Sequence, residues 1–259
     1  MKSIRITRLP VTRRPVLLGA ALVLLAVTSS SVAAADDGPG PFGVTVRAAE
    51  NGRSARVGAL FRGSAASEGA GGHFCTASVV HSDGRDLVIT AAHCLDGEAE
   101  LSFAPGYRDG KAPHGFWDVE GVFLPEGWSK GQDEDSDVAF AVLATRDGEE
   151  VEDVVGGANA FAAHRATGAT AVTVTGYPGS VDTPITCTDK PTAESRTQQR
   201  VACPAFAGGT SGSPWVNGDG AVVGVIGGHE QGGDTDDVSY SPVFGTEVED
   251  LYHVAALAG

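Results

Sequence analysis

The chain of 259 residues is long enough for one large or two small cores, and its 42% hydrophobic and 20% charged residues suit an ordinary globular protein. That balance excludes intrinsic disorder and collagen-like repeats. A formal net charge of −15 argues against nucleic acid or anionic membranes as partners, because like charge repels both.

The first 35 residues carry Lys2, Arg5, Arg8, Arg13 and Arg14, then the apolar run from Val16 to Val27, then Ala33-Ala34-Ala35. A basic start, a short apolar segment and small residues before a cut site predict a secretion signal over 1–35. Thr12-Arg13-Arg14-Pro15-Val16-Leu17 also fits a twin-arginine signal loosely, so both export routes stay open. Removing the signal leaves 13 basic against 33 acidic residues, a net charge of −20, which predicts a soluble mature protein that repels anionic membranes; with the signal, a secreted monomer is expected. The polar, Gly/Pro-bearing stretch 36–55 reads as a flexible arm or short propeptide.

From Arg56 onward, short apolar runs alternate with turn signals. The pattern predicts strands over 57–61, 74–80, 86–91, 100–103, 116–123, 137–143, 170–175, 200–203, 214–217, 221–227 and 239–244. Between them lie turn sequences such as Ser82-Asp83-Gly84-Arg85 and Asn217-Gly218-Asp219-Gly220. Many short strands with such turns predict an all-β fold of antiparallel barrels or sandwiches. The acidic, Gly-rich segment 146–168 has little strand character, which predicts an interdomain connection between a first domain over 56–145 and a second over 169–259. One helix is expected at the end, with Thr246 and Glu249 as a capping box and Val248, Leu251, Tyr252 and Ala255 as a stripe docking on the second domain.

Four cysteines in an exported chain suggest two disulfides, and their grouping favours Cys75 with Cys94 and Cys187 with Cys203 among three possible connectivities. No C-x-x-C spacing supports a metal site, and no cofactor motif is present.

Gly208-Gly209-Thr210-Ser211-Gly212-Ser213-Pro214 concentrates residues that let a backbone turn sharply and bring N–H groups close to a ligand. Alone it reads equally as a turn, and its weight depends on a base and an acid elsewhere. Thr90-Ala91-Ala92-His93-Cys94 places a histidine at a strand end, tethered one residue from a cysteine. A lone histidine is usually structural or solvent-facing, which suits His81, His114, His164, His229 and His253. Asp137 opens the apolar run Val138-Ala139-Phe140, where its carboxylate could accept from the Nδ1–H of His93, while Asp133 and Asp135 read as surface charges on a solvated turn.

With His73-Phe74-Cys75, these stretches make the chain resemble the chymotrypsin-like (trypsin-fold) serine peptidases, in particular the secreted bacterial branch near the glutamyl endopeptidases. The resemblance covers roughly 55–258 and keeps the family's order of His, Asp, Ser. It implies two antiparallel six-stranded barrels with the site between them, and a polypeptide as substrate. It implies catalytic roles for His93, Asp137 and Ser211, with the backbone N–H groups of Gly209 and Ser211 as the oxyanion hole.

Departures from the family pattern shape the expected specificity. Thr210 stands where members activated by a new N-terminus carry an aspartate, so activity is expected to need no particular new N-terminus. Ala205 stands where cleavage after Lys or Arg would want an aspartate, and Ile226 where glutamate-specific members usually have a histidine, with His229 three positions on. Phe206, Ile226 and Gly228 would leave an apolar or partly filled pocket for a small or apolar P1 residue. Gly227 stands where many relatives have a serine that supports the aspartate. Glutamyl specificity, a non-catalytic peptidase-derived binding module, and an esterase using the same groups are the competing readings. The order His, Asp, Ser and Ser213 in place of the glycine of G-x-S-x-G argue against the esterase.

Overall fold

A computed structural model of the protein describes residues 41–65, 72–97 and 100–259, all of which belong to one compact unit, Gly38–Gly259. The expected signal over 1–35 lies outside the described residues.

The first half is a closed barrel of six strands in the order β2-β3-β4-β7-β6-β5. These are β2 (Val57–Arg62), β3 (His73–Val79), β4 (Leu87–Thr90), β5 (Leu101–Pro105), β6 (Trp117–Phe123) and β7 (Ala139–Leu143). Side chains of a strand alternate between its two faces, and β7 shows why its run is apolar throughout. Ala139, Ala141 and Leu143 fill the barrel with Val88 of β4, Phe103 and Trp117. Phe140 and Val142 face outward, with Leu87 and Ile89 of β4, into a second cluster that includes Val222, Val225 and Phe244. Burying a side chain such as Phe140 on that outer face contributes roughly 1.5–3 kcal/mol, so this cluster joins the two halves.

Of the two expected six-stranded barrels the first is closed, while the second half is not closed by strand pairing. It holds a six-stranded sheet, β1-β10-β9-β13-β14-β8, and a three-stranded sheet, β11-β12-β15. Their members are β1 (Val44–Arg47), β8 (Ala160–Phe161), β9 (Val172–Gly176), β10 (Ile185–Asp189), β11 (Thr192–Ala193), β12 (Gln198–Val201), β13 (Pro214–Asn217), β14 (Ala221–Val225) and β15 (Ser239–Pro242). Between β14 and β15 a continuous ladder gives way to isolated bonds. The Val225 N–H donates to the Ser241 hydroxyl at 3.0 Å, and the Gly227 N–H to the Tyr240 carbonyl at 3.0 Å. A side chain has taken an acceptor position that a neighbouring strand would fill, and the sheet stays open there.

Two stretches without a strand pattern in the sequence contain regular structure. The stretch 36–55 contributes β1, which pairs antiparallel with β10, and a short helix α1 (Gly52–Ala55) capped by the Asn51 side chain. The segment 146–168 contains α3 (Val151–Val154) and β8, which pairs with β14 in parallel. Buried Asn159 in that segment donates to the Ser78 hydroxyl at 2.8 Å.

The C-terminal helix α4 (Thr246–Ala256) forms, but Gly245 is its N-cap and no side chain caps it. Glu249 accepts from the His164 ring at 3.1 Å instead of closing a capping box. Its stripe packs on the cluster shared by both halves, and the Tyr252 hydroxyl donates to the His81 carbonyl at 2.7 Å. Glu247 accepts from the Ser136 hydroxyl at 2.7 Å and the Gly127 N–H at 3.2 Å, bracing the turn before Asp137. Gly127 is the second residue of α2 (Glu126–Gly131), which lies between β6 and β7.

Candidate active site

His93 lies on a one-turn 3-10 helix, Ala92–Cys94, immediately after β4. The Cys75–Cys94 disulfide, with Cα atoms 6.1 Å apart, ties that turn to β3, and no free cysteine occurs among the described residues. Asp137 lies at the entry to β7 and is completely buried. Its carboxylate receives three hydrogen bonds. Oδ2 accepts from His93 Nδ1 at 2.8 Å and from the Gly228 N–H at 2.8 Å, and Oδ1 accepts from the His93 N–H at 3.0 Å. A carboxylate can accept only, so Nδ1 carries the proton and the Nε2 lone pair of neutral His93 is left for other chemistry.

The Gly228 N–H, and no side chain at Gly227, is the second donor on Oδ2. A Cβ at Gly227 would stand 2.9 Å from the Asp137 carbonyl and 3.0 Å from its Oδ2, so no side chain fits there.

The loop carrying Ser211 is held from both halves. A trans peptide sends its C=O and N–H in opposite directions, so anchoring a carbonyl aims the next N–H. The Gly208 carbonyl accepts from the Gly179 N–H at 2.7 Å, and the Thr210 carbonyl accepts from Ser213 through its N–H at 3.0 Å and its hydroxyl at 2.6 Å. The N–H groups of Gly209 and Ser211 point away from those anchors, and neither donates to a protein acceptor among the described residues.

Two glycines are required by this path. Gly209 has φ +99, and a Cβ would lie 2.5 Å from the Gly179 nitrogen; Gly212 has φ +82, and a Cβ would lie 2.1 Å from the Thr90 hydroxyl. Thr210 is buried, and its hydroxyl donates to the Ala207 carbonyl at 2.8 Å, closing the turn without a charged partner.

Ser211 is linked to His93 by a short series of bonds. The Thr76 N–H donates to the Ser211 carbonyl at 2.8 Å, Thr76 follows Cys75, and Cys75 is bonded to Cys94 beside His93. No direct hydrogen bond of the Ser211 hydroxyl occurs among the described residues, a contact that often forms only in the substrate complex. The Cys75 and Cys94 sulfurs and a His93 nitrogen lie within 4.8 Å of one another, but the disulfide has consumed both thiolates that could ligate a metal.

The trypsin-like peptidase domain family matches residues 75–225, the stretch that holds His93, Asp137 and Ser211. The chain belongs to that family. Its fold resembles that of the protease Anisep from Arthrobacter nicotinovorans, with a TM-score of 0.70 and 25% identity over 83% of this chain and 100% of the other. A thermostable serine protease, AL20, from an extremophilic microorganism gives a TM-score of 0.70 and 29% identity over 81% of this chain and 100% of its own. A Glu endopeptidase shares the fold at a TM-score of 0.66 and 18% identity, over 85% of this chain and 99% of that one. No curated protein matches the chain.

Within this peptidase domain the expected pocket residues are spread out. Ala205 is exposed on a turn at φ +69, while Phe206 and Ile226 are buried in the second-half core with Trp215 and the Cys187–Cys203 disulfide. Gly228 is buried at φ +78, with a Gln198 side chain where its Cβ would point. The His229 ring stands edge-on to Tyr240 at 4.9 Å between centroids, and its Nδ1 lies 3.4 Å from the Glu134 carboxylate.

Sequence reasoning missed three contributors. Thr76 is one. Gln198 is the second: its amide donates to the Glu134 carbonyl at 3.1 Å and to Asp135 Oδ1 at 2.8 Å, and accepts from the His229 N–H at 3.3 Å. Asp135 is exposed, as expected of a surface charge, and its bond from Gln198 makes it part of a latch across the two halves beside Asp137. Trp128 is the third, with its ring 6.4 Å from the His93 ring and its Nε1–H on Asp96 at 3.3 Å.

His73 is buried among Phe61, Tyr107 and Tyr177, and its Nε2–H donates to the Val181 carbonyl at 3.2 Å. Its Nδ1 has no partner among the described residues. Burial holds its pKa below the ordinary 6.5, opposed by the Val181 carbonyl and by Asp182. The folded state therefore binds this proton less readily than the unfolded chain. Stability from neutral His73 is present above 6.5 and is lost as pH falls below it. His73→Gln is expected to flatten the fall in melting temperature between about pH 7 and 5 relative to wild type, as thermal denaturation at stepped pH would measure.

Proposed function

We propose that the chain is a secreted serine endopeptidase. Ser211 Oγ attacks the scissile carbonyl, His93 Nε2 takes its proton and returns it to the leaving amine, and Asp137 holds the tautomer and stabilises the imidazolium. The N–H groups of Gly209 and Ser211 stabilise the oxyanion of the tetrahedral intermediate. Water then releases the acyl group from Ser211 by the same proton path. The observation that carries this reading is the buried Asp137 carboxylate locking the His93 ring at 2.8 Å. The two disulfides and the family membership support an extracellular setting. The Thr210 turn, closed by its own hydroxyl, supports activity without a defined new N-terminus.

For specificity we infer a small or apolar P1 residue. Phe206 and Ile226 are apolar and buried in the second-half core, and neither supplies charge for a P1 ion, which a buried ion requires. Glutamate preference is disfavoured because His229 already faces the Glu134 carboxylate, with which a substrate carboxylate would compete. Incubation with a proteome-derived peptide mixture is expected to give internal cleavages after Ala, Val or similar residues. Tight preference for Arg, Lys or Glu would overturn the P1 assignment, and release of terminal residues alone would overturn endopeptidase action.

A further inference from the structure

Thr76 lies on β3 of the first barrel and is wholly buried, yet every polar atom it has is used. Its N–H donates to the Ser211 carbonyl at 2.8 Å, and its carbonyl accepts from the Thr90 hydroxyl at 2.7 Å. Its own hydroxyl accepts from the Tyr177 N–H at 3.0 Å and donates to the Gly209 carbonyl at 3.1 Å. The peptide bearing that carbonyl lies between the two N–H groups assigned above to the oxyanion. The flanking peptides are anchored by Gly179 and Ser213, and the carbonyl of the middle one by Thr76.

We propose that Thr76 is a positioning residue for oxyanion stabilisation: its hydroxyl clamps the Gly209–Thr210 peptide to the first barrel and so fixes the aim of the two donors flanking it. This rests on the active-site reading given above. Any residue but proline at this position could make the backbone bond to Ser211, whereas the bridge between Tyr177 and Gly209 needs a side-chain atom that both accepts and donates, as the hydroxyl does. The clamp also makes the oxyanion site depend on contact between the halves, since Thr76 and Gly209 belong to different ones.

Thr76→Val keeps the shape and the backbone bond while leaving the Gly209 carbonyl and Tyr177 N–H unpaired; Thr76→Ser keeps the hydroxyl. The probe is a fluorophosphonate, whose phosphoryl oxygen occupies the oxyanion position in the Ser211 adduct and whose reaction needs no knowledge of peptide specificity. The labelling rate of Thr76→Val is expected to fall roughly tenfold or more, the scale set by the lost bond to the Gly209 carbonyl. Thr76→Ser should stay within about twofold of wild type, and the inflection of the pH–rate profile should stay in place in both, because His93 and Asp137 are untouched.

The proposal is overturned if Thr76→Val labels like wild type, if Thr76→Ser is as slow as Thr76→Val, or if the inflection moves with the rate. A Thr76→Val chain that does not fold also overturns it, by assigning the hydroxyl to the fold instead of the loop. Wild type that labels at Ser211 keeps the active-site reading intact through all of these results. Wild type that takes no label there overturns that reading and the proposal together.

Discussion

Asp137→Asn is expected to lower kcat/KM by roughly 10⁴-fold while leaving the fold in place, on the scale of the same exchange in other enzymes of this chemistry. The reason lies in the count of donors around the carboxylate. Three N–H groups, two from His93 and one from Gly228, converge on its two oxygens. An asparagine has one acceptor and one donating NH₂. With its NH₂ at the Oδ2 position, His93 must turn Nδ1 into an acceptor, which moves the proton to Nε2 and removes the base; the Gly228 N–H then also meets a donor. With the amide reversed, the NH₂ meets the His93 backbone N–H instead, and the turn carrying the ring is displaced. Steady-state kinetics with circular dichroism as the control for folding decides the point. A loss of less than about tenfold in a folded variant would contradict the role given to Asp137.

Ser211→Ala is expected to have the larger effect, a fall in kcat of roughly 10⁶-fold, because removing the nucleophile alone costs nearly as much as removing the whole set. The fold should not register it, since Ser211 is half-exposed and its anchoring bond to Thr76 runs through the backbone. The double variant Ser211→Ala with Asp137→Asn should be scarcely slower than Ser211→Ala. Groups that act as one unit are not additive, and additive losses would show that Asp137 serves something other than the Ser211 reaction.

Most strands were legible in the sequence because burial on both faces wrote continuous apolar runs such as Ala139 to Leu143. The strands that escaped reading are those with no such pattern. β10, Ile185-Thr186-Cys187-Thr188-Asp189, looks polar because Thr186 and Thr188 meet Thr175 and Thr173 of β9 hydroxyl to hydroxyl, each pair at 3.0 Å. β1 is an edge strand whose Val44 and Val46 are exposed, so neither burial nor turn chemistry marked it. Thr246 and Glu249 have the spacing of a capping box, but the chain places Gly245 at the cap and gives both glutamates of the first turn partners in distant segments.

His93, Asp137 and Ser211 stood out in the sequence as candidates because each lies in a short motif with its own local logic. Thr76 and Gln198 did not, because their work is done across the two halves, against residues more than sixty positions away. A polar β-branched residue directly after Cys75, inside an otherwise buried strand, was the available signal for Thr76. The acidic run before Asp137 is exposed from Gln132 to Asp135, as its charges suggested, but they gave no sign that Asp135 accepts from Gln198 or that buried Ser136 donates to Glu247.

The most direct measurement is mapping of a fluorophosphonate adduct on the folded protein by mass spectrometry. One adduct is expected, on Ser211, abolished by Ser211→Ala and slowed by Asp137→Asn. An adduct on any other residue, or none on a folded sample, would contradict it.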